Sequence, residues 1–218
     1  KFMRELILET GIGKLLSPCV VNWIAGDVFT QQWCTYTHGK SPDMELHVNN
    51  DFGKIYDSNY CKGSFGSCMV DENRTSFYHD SVKAKAAYII DKTGLIVARA
   101  ILFTDVTDQD GKKWRLLERQ YSSEGDDVLK RLLVDKLIQE DYIDGYKVIG
   151  ASCHDANSFV DVCGNSLSDR KFEIDCELEL EDTLSYQDSF KWYSYNQNKA
   201  YNYENSGTSY NLDTTDLN

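Results

Sequence analysis

A chain of 218 residues, 41% hydrophobic and 27% charged, is long enough for one sizeable core and has an ordinary globular balance. No run of about 18 apolar residues occurs, which excludes a membrane-spanning helix and sets the expectation of no membrane association. The net charge of −12 repels phosphate backbones, so duplex nucleic-acid binding is disfavoured; the acidic surface serves solubility alone or docks on a basic protein partner.

Phe2, Leu6 and Ile7 share a helical face until Gly11 and Gly13 interrupt it. Ser17-Pro18 then caps a second turn over 19–23, so residues 1–25 read as two short helices. A polar, aromatic-studded stretch leads to Pro42, with a strand expected over 45–48. The strongest pattern follows. Runs 83–91 and 95–103 are strand-like and joined by Lys92-Thr93-Gly94, a hairpin signal. A polar loop over 104–113 leads to a third strand over 114–121. Val128, Leu129, Leu132, Leu133 and Leu137 recur at helical spacing after Ser122–Asp126, and Gly145 is the expected stop. Short strands are expected over 146–151 and 159–162. Over 170–180, Phe172, Ile174, Cys176, Leu178 and Leu180 alternate with charges, which predicts one buried and one acidic face.

This order, strand-strand-strand-helix-strand, predicts an α+β fold: a mixed, mainly antiparallel sheet with a packed helix. Residues 1–195 read as a single domain, and 196–218 as a polar Tyr/Asn-rich tail. The chain opens on Lys1, as a processed or truncated piece would, so targeting segments are not legible in it. Seven cysteines without a disulfide-scaffold spacing read as reduced thiols in a cytoplasmic protein.

Several segments resemble chemical motifs. Cys61, Cys68, Cys153 and Cys163 could supply four thiolates to a zinc ion, although their gaps are wider than the usual knuckles, and ordinary buried thiols are the competing reading. Cys68 follows two glycines and could act as a nucleophile with His79 or His154 as base, if the fold brings them together. The Asp105–Gly111 loop fails as a calcium loop because Val106 and Leu117 fall at ligand positions, so it reads as a turn. No phosphate-binding loop or dinucleotide fingerprint occurs, and no cofactor is expected from one. The charges inside strands are more telling. Arg99 shares a face with Leu95, Val97, Ile101 and Phe103, and Glu118 with Trp114 and Leu116; the two are expected to form a half-buried ion pair, structural or at a site. Arg119 should face the other way, with Leu117 and Tyr121.

The chain resembles a family of uncharacterised proteins encoded by bacteriophages and some large viruses. The resemblance covers about Ser67 to Phe190 and rests on Ser67-Cys68-Met69, Ala98-Arg99-Ala100-Ile101-Leu102-Phe103, Glu118-Arg119-Gln120-Tyr121 and Tyr186-Gln187-Asp188-Ser189-Phe190. It implies origin rather than chemistry. The element order is also similar to acetyltransferases of the GNAT type, but the segment Gln120–Asp127 has one glycine and three acids where those proteins hold the pyrophosphate of coenzyme A. The expected function is that of a phage-type intracellular accessory protein that binds a host or phage macromolecule. The alternatives are an enzyme of diverged acyltransferase-like fold using Arg99, Glu118, Arg119 and Cys68, and a zinc-stabilised interaction module.

Overall fold

The computed structural model describes residues 20, 44–67, 69, 75–177, 187–205 and 209–211. The N-terminal helices, Cys68, Tyr186 and the end of the strand over 170–180 lie outside the described residues.

Eleven strands among the described residues form one sheet. Its spine is the hairpin of β2 (Ala84–Ile90) and β3 (Ile96–Asp108), closed by a turn in which Gly94 takes a positive φ of 81° and Asp91 accepts bonds from Thr93 and Leu95. β1 (Glu45–Asn49) extends the sheet beside β2. On the other edge of β3 lies β4 (Lys113–Leu117), followed by β5 (Tyr121–Ser122) on the same edge. Beyond β4 come β6 (Gly145–Lys147), parallel to it, and β7 (Phe159–Asp161). β8 (Phe172–Asp175) pairs with the far end of β3 and carries β10 (Lys199–Tyr201), β9 (Trp192–Ser194) and β11 (Ser209–Asn211). The fold is therefore α+β with a mainly antiparallel sheet.

β3 is longer than its hydrophobic run. The expected loop over 104–113 is strand as far as Asp108, because buried Val106 pairs with both Trp114 and Ile174 while the polar neighbours Thr104 and Asp105 stay partly exposed. Asp108 then organises the tight turn, accepting from the Asp110 and Lys112 amides, from Trp114 Nε1 at 2.9 Å and from Arg170 at 2.6 Å. Part of the expected tail is also sheet, since Ala200 and Tyr201 of β10 are buried.

The sheet has two covered faces. Helix α2 (Asp127–Gln139) packs Leu133, Val134 and Leu137 on Ala87, Ala98, Ala100, Leu102 and Leu117. The opposite face carries Ile101, Phe103 and Leu116 under the short helix α1 (Phe52–Tyr56), the turn at Phe77–Ser81 and Phe190. Val97, expected beside Arg99, packs on the α2 side. α2 begins at Asp126, whose carboxylate accepts the Val128 amide, and ends in a Schellman turn with Asp141 at φ 56°: Tyr142 N–H donates to Leu137 O, and Asp141 N–H to Ile138 O.

Gly145 is thus not the helix stop. It lies in β6, where a Cβ would sit 2.8 Å from Val160 O and 3.0 Å from Leu116 Cδ2. Gly145→Ala is expected to lower stability by about 1–3 kcal/mol, read as a lower urea midpoint at unchanged m-value.

Candidate functional site

Between β4 and β5 the pairing register slips by one residue: Leu117 faces Leu102, but Tyr121 faces Arg99. This bulge re-aims the side chains that follow it, since one extra residue exchanges the two faces of a strand. Arg119 and Tyr121, expected on the opposite side, therefore line the same cleft as Arg99 and Glu118. The cleft is narrow and partly open to solvent, with a free volume of about 20 Å³ between its walls, on the sheet face away from α2. Ser67, Met69, Tyr56, Tyr78 and Asp188 complete its walls. Described residues from all four of the short segments 67–69, 98–103, 118–121 and 186–190 meet there.

Arg99 is 1% exposed and sits in an aromatic box, its guanidinium carbon 4.5 Å from the Tyr56 ring centre, 4.9 Å from Phe65 and 5.7 Å from Tyr121. Such contacts suit a delocalised, weakly hydrated cation. Phe65 is placed by a loop pinned to the turn before α2: the Ser64 amide donates to Glu124 Oε1 at 3.0 Å, and the Glu124 amide donates to Ser64 O at 2.8 Å. Gly63 permits that approach, with a φ of 68° and Glu124 Oε1 only 2.5 Å from where a Cβ would lie.

The expected Arg99–Glu118 ion pair is replaced by another. Glu118 is bridged to Lys147 at 3.2 Å and accepts from Ser189 Oγ and the Arg119 amide, each at 2.9 Å. All three contacts fall on Oε1, which leaves Oε2 available to a molecule in the cleft. Lys147 has no exposed surface and also donates to Ser189 Oγ at 2.9 Å. Gln120 Nε2 ties the carbonyls of Glu118 and Lys147 together at 2.9 and 3.0 Å. The strands β4 and β6 bring these groups close, and the 187–190 segment closes over them.

Arg119 is half-buried. Its Nη1 donates to the Tyr121 hydroxyl at 3.3 Å, its guanidinium carbon lies 4.9 Å from the Tyr121 ring, and no carboxylate of the described residues is within salt-bridge distance. The same hydroxyl donates to Asp188 Oδ2 at 3.3 Å. Asp188 is 7% exposed, and its Oδ1 has no hydrogen-bond partner among the described residues. Burial, and then the nearby Glu118 charge, push its carboxyl up to about 6, against the pull of Lys147 and Arg119. Burial also pushes the Tyr56 hydroxyl up to about 12. The cleft thus offers a forked cation, an unpaired buried acceptor and neutral tyrosines.

The cysteines do not assemble into a centre. Cys61, Cys153 and Cys176 are thiols, Cys163 is disulfide-bonded, and Cys68 lies outside the described residues. Cys163 departs from the expectation of seven reduced thiols and is not available as a zinc thiolate. Among the described residues no group of three or more His, Cys, Asp and Glu is placed to hold a metal ion. His79 is set edge-on against Phe52 at 4.9 Å. Since a disulfide consumes two of the seven cysteines, the unfolded, unreduced protein is expected to titrate no more than five thiols. Seven would mean that the bond does not form.

Lys147 and Tyr56 were missed by sequence reasoning. A lysine between Tyr146 and Val148 in a short strand carries the same signal as Arg99 and Glu118, a charge within an apolar run. Comparison with known proteins yields no match, whether by family model, curated protein or solved structure.

Proposed function

We propose that the protein is a bacteriophage-type accessory protein that acts by binding a host or phage macromolecule, and that the cleft is its point of grip. The observation that carries this reading is Asp188, a buried carboxylate with an unpaired oxygen in the wall of an open cleft. Buried polar atoms are almost always satisfied in a folded protein, so one that is not, in a cleft wall, is a point where a bound molecule can complete the bonding. The net charge of −12 adds a long-range preference for a partner with basic surface around the docking segment. A cytoplasmic setting belongs to the same reading, and a Cys163 disulfide that persists in protein made in the cytosol would weigh against it. The test is capture from host lysate with wild type and Arg119→Met side by side. A specific macromolecule held by wild type and lost from the variant is expected; identical capture by both sinks the assignment to the cleft.

A second reading, a diverged acyltransferase-like enzyme, is favoured by the β2–β3–β4 meander followed by α2 and a β6 parallel to β4. The acids that would meet a coenzyme pyrophosphate are already engaged, Glu124 with Ser64 and Asp126 as the α2 cap. Titration with coenzyme A is therefore expected to give no binding heat, and micromolar binding would restore the enzyme reading.

A further inference from the structure

The polar groups of the cleft fall into two kinds that call for opposite complements. Arg119 presents guanidinium donors beyond the one given to Tyr121, with no carboxylate of the described residues pairing them. Its complement is an oxyanion, and the planar fork suits a carboxylate or a phosphate. Asp188 Oδ1 and Glu118 Oε2 are acceptors, and their complement is an N–H or O–H donor. Arg119 Nη1 and Asp188 Oδ2 each lie 3.3 Å from the same Tyr121 hydroxyl, so donor and acceptor sites are within reach of one small fragment.

That pairing separates the candidate oxyanions. A phosphate could reach Asp188 Oδ1 only through the O–H it keeps at neutral pH, and it would bring up to two negative charges against two carboxyl groups. A lone amine or guanidinium satisfies the acids but is repelled by Arg119 and by Lys147 behind Glu118. A carboxylate with a nitrogen on the adjacent carbon satisfies both kinds together. Ile55, Tyr56 and Met69 then provide an apolar wall for a side chain on that carbon.

Resting on the cleft as the recognition site, we propose that it takes an α-nitrogen–carboxylate unit: the carboxylate on Arg119, the α-nitrogen hydrogen on Asp188, and the side chain on the apolar wall. Two sources carry this unit, the C-terminal residue of a partner polypeptide and a free α-amino acid.

The experiment uses the full chain and five pooled probes at about millimolar concentration, where ligands of micromolar Kd shift the melting temperature measurably. The probes are the common L-amino acids, their N-acetyl derivatives, the N-acetyl methyl esters, the N-acetyl-N-methyl acids, and inorganic phosphate. The free or N-acetyl acids are expected to raise Tm and to titrate. Esters, which lack the anion, and N-methyl acids, which lack the amide hydrogen, should bind at least tenfold more weakly. Arg119→Met should abolish the response, Arg119→Lys should weaken it about tenfold, and Lys130→Gln, on the α2 side, should leave it unchanged. The two Arg119 variants are checked for an unaltered melt without ligand, and the lysine variant keeps the test valid if methionine disturbs folding. Binding of N-acetyl acids identifies a chain end as the source. Binding of free amino acids alone supports the α-nitrogen–carboxylate unit while removing the support for a macromolecule at the cleft. Equal response to esters or phosphate, or no response to any pool, overturns the inference, and lysate capture that depends on Arg119 would still leave the cleft as a grip for something else.

Discussion

Lys147→Met is expected to destabilise the protein by about 3–5 kcal/mol, the usual consequence of removing one partner from a buried ion pair. Lys147 is fully enclosed, and its ammonium is shared between Glu118 at 3.2 Å and Ser189 Oγ at 2.9 Å. Methionine fills the volume, so packing is kept and the loss falls on electrostatics. Glu118 would keep the Ser189 and Arg119 donors but lose its only salt-bridge cation among the described residues. For a chain of this length the loss corresponds to a fall in Tm of about 6–20 °C. Adding Glu118→Gln to Lys147→Met should recover about half of the loss, because the uncompensated charge is then gone. If the single variant melts with wild type, the buried network does not hold the cleft floor.

Asp188→Asn should have the opposite sign. The folded state raises this carboxyl from its ordinary 3.8 to about 6, so the native protein holds the proton more tightly than the unfolded chain does. Native proton uptake therefore exceeds that of the unfolded state between about pH 4 and pH 6, and stability falls as pH rises through that window. Above it the cost amounts to about 3 kcal/mol at 1.36 kcal/mol per pH unit. Asparagine preserves shape without the charge. The variant should be about 1–3 kcal/mol more stable than wild type at pH 7.5, the attraction to Lys147 and Arg119 being already contained in the raised carboxyl, and the gap should close by pH 4. Chemical denaturation of both proteins from pH 4 to 8 measures it, and a gap constant across that range would dismiss the effect. A residue that lowers the stability of its own fold at neutral pH is the pattern expected where binding, rather than packing, sets the side chain.

The spine of the fold was legible because its signals are local. The β2–β3 turn is written in Lys92-Thr93-Gly94, and α2 in the leucine spacing and the acidic cap. Phe172, Ile174 and Cys176 are buried as their alternation requires. The errors came where a nonlocal partner decided the outcome. Thr104–Asp108 reads as loop by composition, and it is strand because β4 and β8 flank it. Gly145 reads as a helix stop by position, and it is a strand residue because Val160 approaches its backbone. Arg99 and Glu118 stand out in the sequence as charges within apolar runs, and both line the cleft. Their pairing was misjudged because Lys147, Tyr56 and Phe65 come from elements remote in sequence.

The bulge between Leu117 and Tyr121 makes the cleft depend on a count of residues as well as on their identities. Shortening that connection by a single residue would return β5 to the frame of β4. Tyr121 would then turn toward the helix side, taking with it one wall of the Arg99 box and the hydroxyl that joins Arg119 to Asp188. Among related chains, variation in length at this point would therefore separate proteins that share the scaffold from those that also share the recognition chemistry.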